Sequence, residues 1–232
     1  MREPRLVTYF REIPDPCPCE TPEEWTTRLR SGLEKYRRQV SEVYCEATIE
    51  RLLCSPDPVC RRAAVLALGL VGTMSTSVTL SKRLYDDDPV VRQLTGDALW
   101  AVWFRAAGRD RCEQLQKIVS CNNSRATLRD LDVLISRTGD YAEAYNQRAI
   151  LYYKLGEFRR AASDCETVLK LNPQHFGAAA GMAQCYLKLN RPRAALHAFR
   201  SALDINPNLD DVGQAVKALE EMLGENAEGF DR

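Results

Sequence analysis

Residues 142–175, AEAYNQRAILYYKLGEFRRAASDCETVLKLNPQH, and residues 176–209, FGAAAGMAQCYLKLNRPRAALHAFRSALDINPNL, align without a gap over 34 positions. Ala149 matches Ala183, Tyr152 matches Tyr186, Lys154-Leu155 matches Lys188-Leu189, Ala161 matches Ala195 and Pro173 matches Pro207. A unit of this size that recurs at a fixed period is one supersecondary element. It cannot cover its own apolar face and must stack on its neighbours. A repeated stretch such as Tyr152–Ala162, YYKLGEFRRAA, is therefore scaffold before it is chemistry.

The spacing predicts a helical hairpin in each unit. Ala149, Tyr152 and their neighbours recur at helical intervals and mark one apolar stripe. Gly156 can leave the first helix in a left-handed conformation, and Asn190, the next most tolerant residue, stands in its place in the second unit. Ala161 and Ala195 are small where two helices cross. Pro173 and Pro207 end the second helix, because proline lacks an N–H and disfavours helix in the residue before it.

These residues resemble the tetratricopeptide repeat (TPR) family in period, first-helix tyrosine, turn glycine, crossing alanine and terminal proline. Upstream, RCEQLQKIVSCNN and ATLRDLDVLISRTGDYAEAY read as a degenerate repeat over about 108–141, with Gly139 where Pro173 would stand. Downstream, Val212, Val216, Leu219 and Leu223 mark a capping helix that covers the last repeat, with Asp210 or Asp211 expected as its N-cap. The resemblance implies a working groove lined by the first helix of each hairpin. Carried over by position, the peptide-binding residues are Asn146, Gln147, Ile150, Tyr153 and Lys154, then Ala180, Gly181, Gln184, Leu187 and Lys188. The small residues from Gly177 to Gly181 are expected to leave a shallow space for a bulky partner group. The chaperone-type carboxylate clamp is missing: its places hold Cys112 and Gln116, then Gln147, then Gly177 and Gly181.

A second period lies further upstream. SPDPVCRRAAVLALG (55–69) aligns with DDDPVVRQLTGDALW (86–100) at a spacing of 31 residues. Asp57-Pro58 and Asp88-Pro89 pair an N-cap with proline at the first helical position. Residues 41–107 resemble short HEAT-like repeats, including those of bilin lyases. Before them, Thr21 and Glu24 have capping-box spacing, and Trp25, Leu29, Leu33, Tyr36 and Val40 form one stripe of a further capping helix. The proline-rich residues 1–20 read as a loosely ordered arm. Trp100, Trp103 and Phe104 read as packing.

The expected architecture is thus all-α: an α-solenoid of stacked helical hairpins, HEAT-like repeats followed by TPR repeats and a C-terminal capping helix. Its parts are an arm (1–20), a capping helix plus two HEAT-like repeats (21–107), a degenerate TPR, two clear TPRs and a capping helix (108–223), and an acidic tail (224–232).

Charge and chemistry narrow the function. The 232 residues hold 32 basic and 32 acidic side chains, without the Lys/Arg excess of a general nucleic-acid binder. No apolar run approaches the ~20 residues of a membrane helix, and MREPRLVTYFREIPDP has no secretory apolar stretch. Neither nucleic acid nor membrane is expected as a partner, and the cytoplasm is the expected compartment. Residues 142–209 carry nine basic side chains against five acidic, residues 210–232 two against seven. The acidic end reads as a solvated tail. His175 and His197 are the only histidines and show no metal spacing or indicated partner. Tyr85–Pro89, YDDDP, reads as helix capping, and most of the nine cysteines read as small reduced core residues. Cys17-Pro18-Cys19 offers two thiolates where structural zinc takes about four ligands; a redox role there stays open. No catalytic residue, metal or cofactor is expected. The leading reading is a non-enzymatic adaptor or assembly scaffold that binds a protein or peptide partner in the TPR groove. The competing readings are a bilin-lyase-like small-ligand protein and self-association through the solenoid ends.

Overall fold

The computed structural model describes residues 3–121 and 123–224, and every regular element among them is helical. The chain divides into two compact units, Met1–Val102 and Trp103–Arg232. Residues 225–232, nearly all of the expected acidic tail, lie outside the described residues.

The first unit contains α1 (Arg5–Arg11), α2 (Pro22–Val43), α3 (Glu46–Leu52), α4 (Pro58–Val71), α5 (Ser77–Ser81) and most of α6 (Pro89–Phe104), with 3-10 turns on both sides of α5. The caps read from the sequence form. Thr21 Oγ1 accepts from Glu24 N, and Glu24 accepts in return from Thr21 N at 2.9 Å. Asp57 accepts from Val59 N at 3.0 Å, and Asp88 from Val91 N at 2.9 Å. Helix α4 packs against α1, α2 and α3, which is why it is apolar on nearly every side: Ala63, Ala64, Val65, Ala67 and Leu68 are all fully buried. Tyr36 of α2 is buried too and donates to Ala63 O at 2.8 Å. Burial pushes its phenol well above the ordinary tyrosine range.

The 31-residue period has a physical basis. Helices α3 and α5 begin 31 residues apart, as do α4 and α6. Arg61 Nη1 donates to Ser55 O and Pro56 O; Arg92 Nη1 donates to the equivalent carbonyls, Asp86 O and Asp87 O. Each arginine ties the start of its helix to the loop before it. Arg61 also forms a two-point ion pair with the buried Asp86 carboxylate, at 2.7 and 2.9 Å.

The expectation of a loosely ordered arm is corrected here. Residues 5–11 form α1, and Leu6 and Val7 are completely buried. Leu6 N donates to Tyr44 Oη at 3.0 Å. Pro14 lies against Gly32 so closely that a Cβ there would fall 2.4 Å from Pro14 Cδ. Arg28 donates to Asp15 O and pairs with Glu20. A seven-residue helix is too short to stand on propensity; it exists because two side chains are buried, which the prolines around it conceal.

The second unit runs through α7 (Arg109–Val119), α8 (Ser124–Thr138), α9 (Ala142–Lys154), α10 (Phe158–Leu171), α11 (Phe176–Lys188), α12 (Pro192–Ile205) and α13 (Asp210–Leu223), each packed on the next. Gly156 and Asn190 take the left-handed conformation expected of them, at φ 79° and 56°. Both turns close with the same bond, Glu157 N to Tyr152 O and Arg191 N to Tyr186 O, each 2.9 Å. Ala149, Ala161, Ala183 and Ala195 are buried where helices cross. Arg148 clamps three helices, reaching Asp132 of α8 and Asp164 of α10 at 2.7 Å. Val212, Val216 and Leu219 of α13 cover Ala198, Phe199 and Ala202. The expected side-chain cap of α13 is absent: the helix starts at Asp210 itself with Leu209 before it. Asp210 and Asp211 instead face the positive end of the helix dipole from its first turn.

Candidate peptide-binding groove

The ten groove residues separate into an open set and a closed set. On α9, Ile150 and Lys154 are exposed and Gln147 is half-buried. These three line a cavity of about 230 Å³ together with Val119, Ser124 and Leu131. On α11, Gln184, Leu187 and Lys188 are exposed, but none of them lines that cavity.

The closed set is a correction. Asn146 is buried, and its Nδ2 donates to Glu143 Oε1 at 3.0 Å, so it has no edge to offer a peptide backbone. Tyr153 lies edge-on to Phe158, at 5.3 Å between ring centroids, and packs against the core of Ala161, Ala162 and Cys185. Ala180 packs against the α11–α12 core. A Cβ at Gly181 would lie in ordinary contact with Cys165 Sγ, at 3.6 Å.

Three residues that the sequence analysis does not place at the groove account for the inward turn of Asn146. Glu143, in the first turn of α9, is buried and receives Asn146, Gln147 and His175. His175 is completely buried; its Nδ1 accepts from Ala178 N at 3.0 Å, capping α11. An accepting Nδ1 carries no proton, so the ring donates from Nε2 to Glu143 Oε2 at 3.2 Å. Trp103 stacks on the imidazole at 4.5 Å and lies against Phe176. His175 therefore has the carboxylate partner that the sequence did not indicate. Both members are sealed from solvent, so the pair braces the turn between the repeats. The signal available in the sequence was Glu143 at a groove position, with His175 immediately before the next helix. Trp103 acts in packing, as expected.

The cysteines near the site are core groups. Burial pushes Cys165 up to about 12 and Cys185 up to about 11, leaving neither as a thiolate near neutral pH.

These features define a helical-repeat protein with one repeat face partly filled from within. Residues 152–220, within the second unit, match the tetratricopeptide repeat family. The chain is also similar to a TPR repeat-containing protein of Rhizobium etli, with 36% identity over 110 residues. That alignment covers 47% of this chain and 54% of the relative, so it spans about half of that protein's length. Among the described residues, no helix is long and apolar enough to cross a membrane.

Proposed function

We propose that the second unit is a non-enzymatic interaction module that binds a protein segment at the open, C-terminal half of α9. TPR proteins commonly serve protein–protein interaction, and the family match supports that class of function. The observation that carries the narrower reading is the cavity lined by Gln147, Ile150 and Lys154. Ile150 is 40% exposed, Val119 beside it 39%, and Leu187 on α11 39%. Exposed apolar side chains next to lysines suit a segment with a large apolar anchor and neighbouring acidic residues. Gln147, whose Nε2 is held by Glu143 at 2.6 Å, leaves its carbonyl oxygen to accept from that backbone.

A peptide-display selection on the full chain tests this. The expected outcome is enrichment of segments that combine a large apolar residue with Asp or Glu. Their affinity should fall at least about tenfold, some 1.4 kcal/mol, in the Ile150→Asp/Lys154→Glu variant. Asn146→Ala should lower stability and leave affinity unchanged, because Asn146 serves Glu143. Selected peptides that bind the double variant as well as the parent would overturn the placement.

A further inference from the structure

Outside the TPR unit, Cys17 and Cys19 are both exposed, and their sulfurs stand 2.7 Å apart. That is inside the separation of two sulfurs in simple contact and somewhat beyond the ~2.05 Å of a disulfide bond. The proximity is built. Glu20 N donates to Cys17 O at 3.1 Å and closes a four-residue turn with Pro18 at its second position, where proline's fixed φ suits the turn. The Glu20 carboxylate receives Arg28 Nε and Nη2, each at 2.6 Å, and Arg28 Nη2 also donates to Asp15 O at 2.8 Å. Arg28 belongs to α2, so a helix fastens both sides of the turn. The Cys19 thiol, hydrogen-bonded to Cys17, holds the Cys17 thiol below its ordinary range, and the Arg28 guanidinium adds to the effect. Among the described residues, no three His, Cys, Asp or Glu side chains are grouped to hold a metal ion.

We propose that Cys17 and Cys19 form a redox-active dithiol that closes to an intramolecular disulfide by exchange with a small-molecule disulfide. The Cys17 thiolate attacks one sulfur of that disulfide. A Cys17 mixed disulfide forms, and the first small thiolate leaves and takes a proton from solvent. Cys19 then gives its proton to solvent and attacks Cys17 Sγ. The internal bond forms and the second small thiol is released. The two protein thiols are oxidised by two electrons, and the small disulfide is reduced to two thiols. Cys17 is the attacking group because it is the sulfur whose thiolate is favoured.

The test equilibrates the full chain with graded mixtures of glutathione and its disulfide, alkylates the remaining thiols and digests with trypsin. Cleavage after Arg11 and Arg28 places both cysteines on one peptide, 12–28. The expected result is that this peptide becomes two hydrogens lighter and unlabelled while the peptide carrying the exposed Cys54 is still alkylated. Cys19→Ser should trap glutathione on Cys17 and lose the closed form entirely. Arg28→Gln should slow closure several-fold, with helicity unchanged by circular dichroism. A 12–28 peptide that stays doubly alkylated in the most oxidising mixture would overturn the proposal. So would a peptide that carries glutathione without ever closing.

Discussion

Three helix starts of the first unit, those of α2, α4 and α6, are marked by a capping side chain and a proline; in the second unit the recurring marks are left-handed residues at helix ends. Thr21-Pro22, Asp57-Pro58 and Asp88-Pro89 each set a side-chain oxygen and a proline at a helix start, and carboxylates reinforce all three. Among the described residues, none in the first unit has a positive φ. In the second unit Gly108, Gly139, Gly156, Asn190 and Gly224 all do, while α9, α10, α12 and α13 start without a side-chain cap. The packing differs in parallel. Helix α4 is surrounded by three others, whereas α7 to α13 pack mainly in chain order. A surrounded helix shares its loss with the whole unit, and a linear stack confines it to nearest neighbours.

The largest expected effect tests that difference directly. Arg61→Ala removes the two-point partner of Asp86, whose side chain is 2% exposed, and leaves only Arg83 and Asp88 N beside it. A buried carboxylate deprived of its main cation costs about 3 kcal/mol. Arg148→Ala removes the clamp between α8, α9 and α10 in the second unit. Hydrogen exchange should show Arg61→Ala loosening α3 to α6 together, while Arg148→Ala loosens α8 to α10 and leaves α12 and α13 protected. Equal loosening of α13 would show that the second unit is not a nearest-neighbour stack.

The same contrast explains what the sequence made legible. Helix starts and ends are local: a cap and its acceptor lie two or three residues apart, and a left-handed turn needs one tolerant residue. Thr21, Asp57, Gly156 and Asn190 could therefore be read directly. The 34-residue period carried the hairpins. What escaped reading was non-local. Helix α1 exists because Leu6 and Val7 find a core, and no pattern in seven residues encodes that. Asn146 was assigned to the groove by its position in the repeat, but it turns inward to Glu143. Glu143 in turn is sealed with His175, 32 residues away, beneath a tryptophan more distant still. Ile150 and Lys154 lie beyond that network and stay exposed.

Next in size is a change at a helix end. Gly156 has φ 79° and nothing within 4 Å of where a Cβ would sit, so Gly156→Ala tests backbone strain without a clash. It should cost about 1–2 kcal/mol, read from urea midpoints at unchanged m-value. Asn190→Gly, at the equivalent turn, should fall within about 0.5 kcal/mol of neutral, because asparagine already tolerates that region. If Gly156→Ala were as neutral as Asn190→Gly, the turns would not be what ends these helices.

The smallest effect at neutral pH belongs to a charged helix start. Asp88 caps α6 and pairs with Arg62, and the guanidinium holds its carboxyl down at about 2. An unfolded aspartate titrates near about 3.9. A depressed folded value means that the pair's contribution is complete above about pH 4 and is lost as pH falls toward about 2. Arg62→Met should cost less than about 1 kcal/mol at pH 7, since both side chains are partly exposed. It should also flatten the acid slope, because a carboxyl without its cation titrates closer to its unfolded value. The amides of the first turn of α6 are the reporters. In the parent their exchange should quicken between about pH 4 and 2, after correction for intrinsic rates, more than that of amides beside Gly156. In Arg62→Met that excess should shrink. An unchanged slope would mean that the cap alone, and not the charge, secures this helix start.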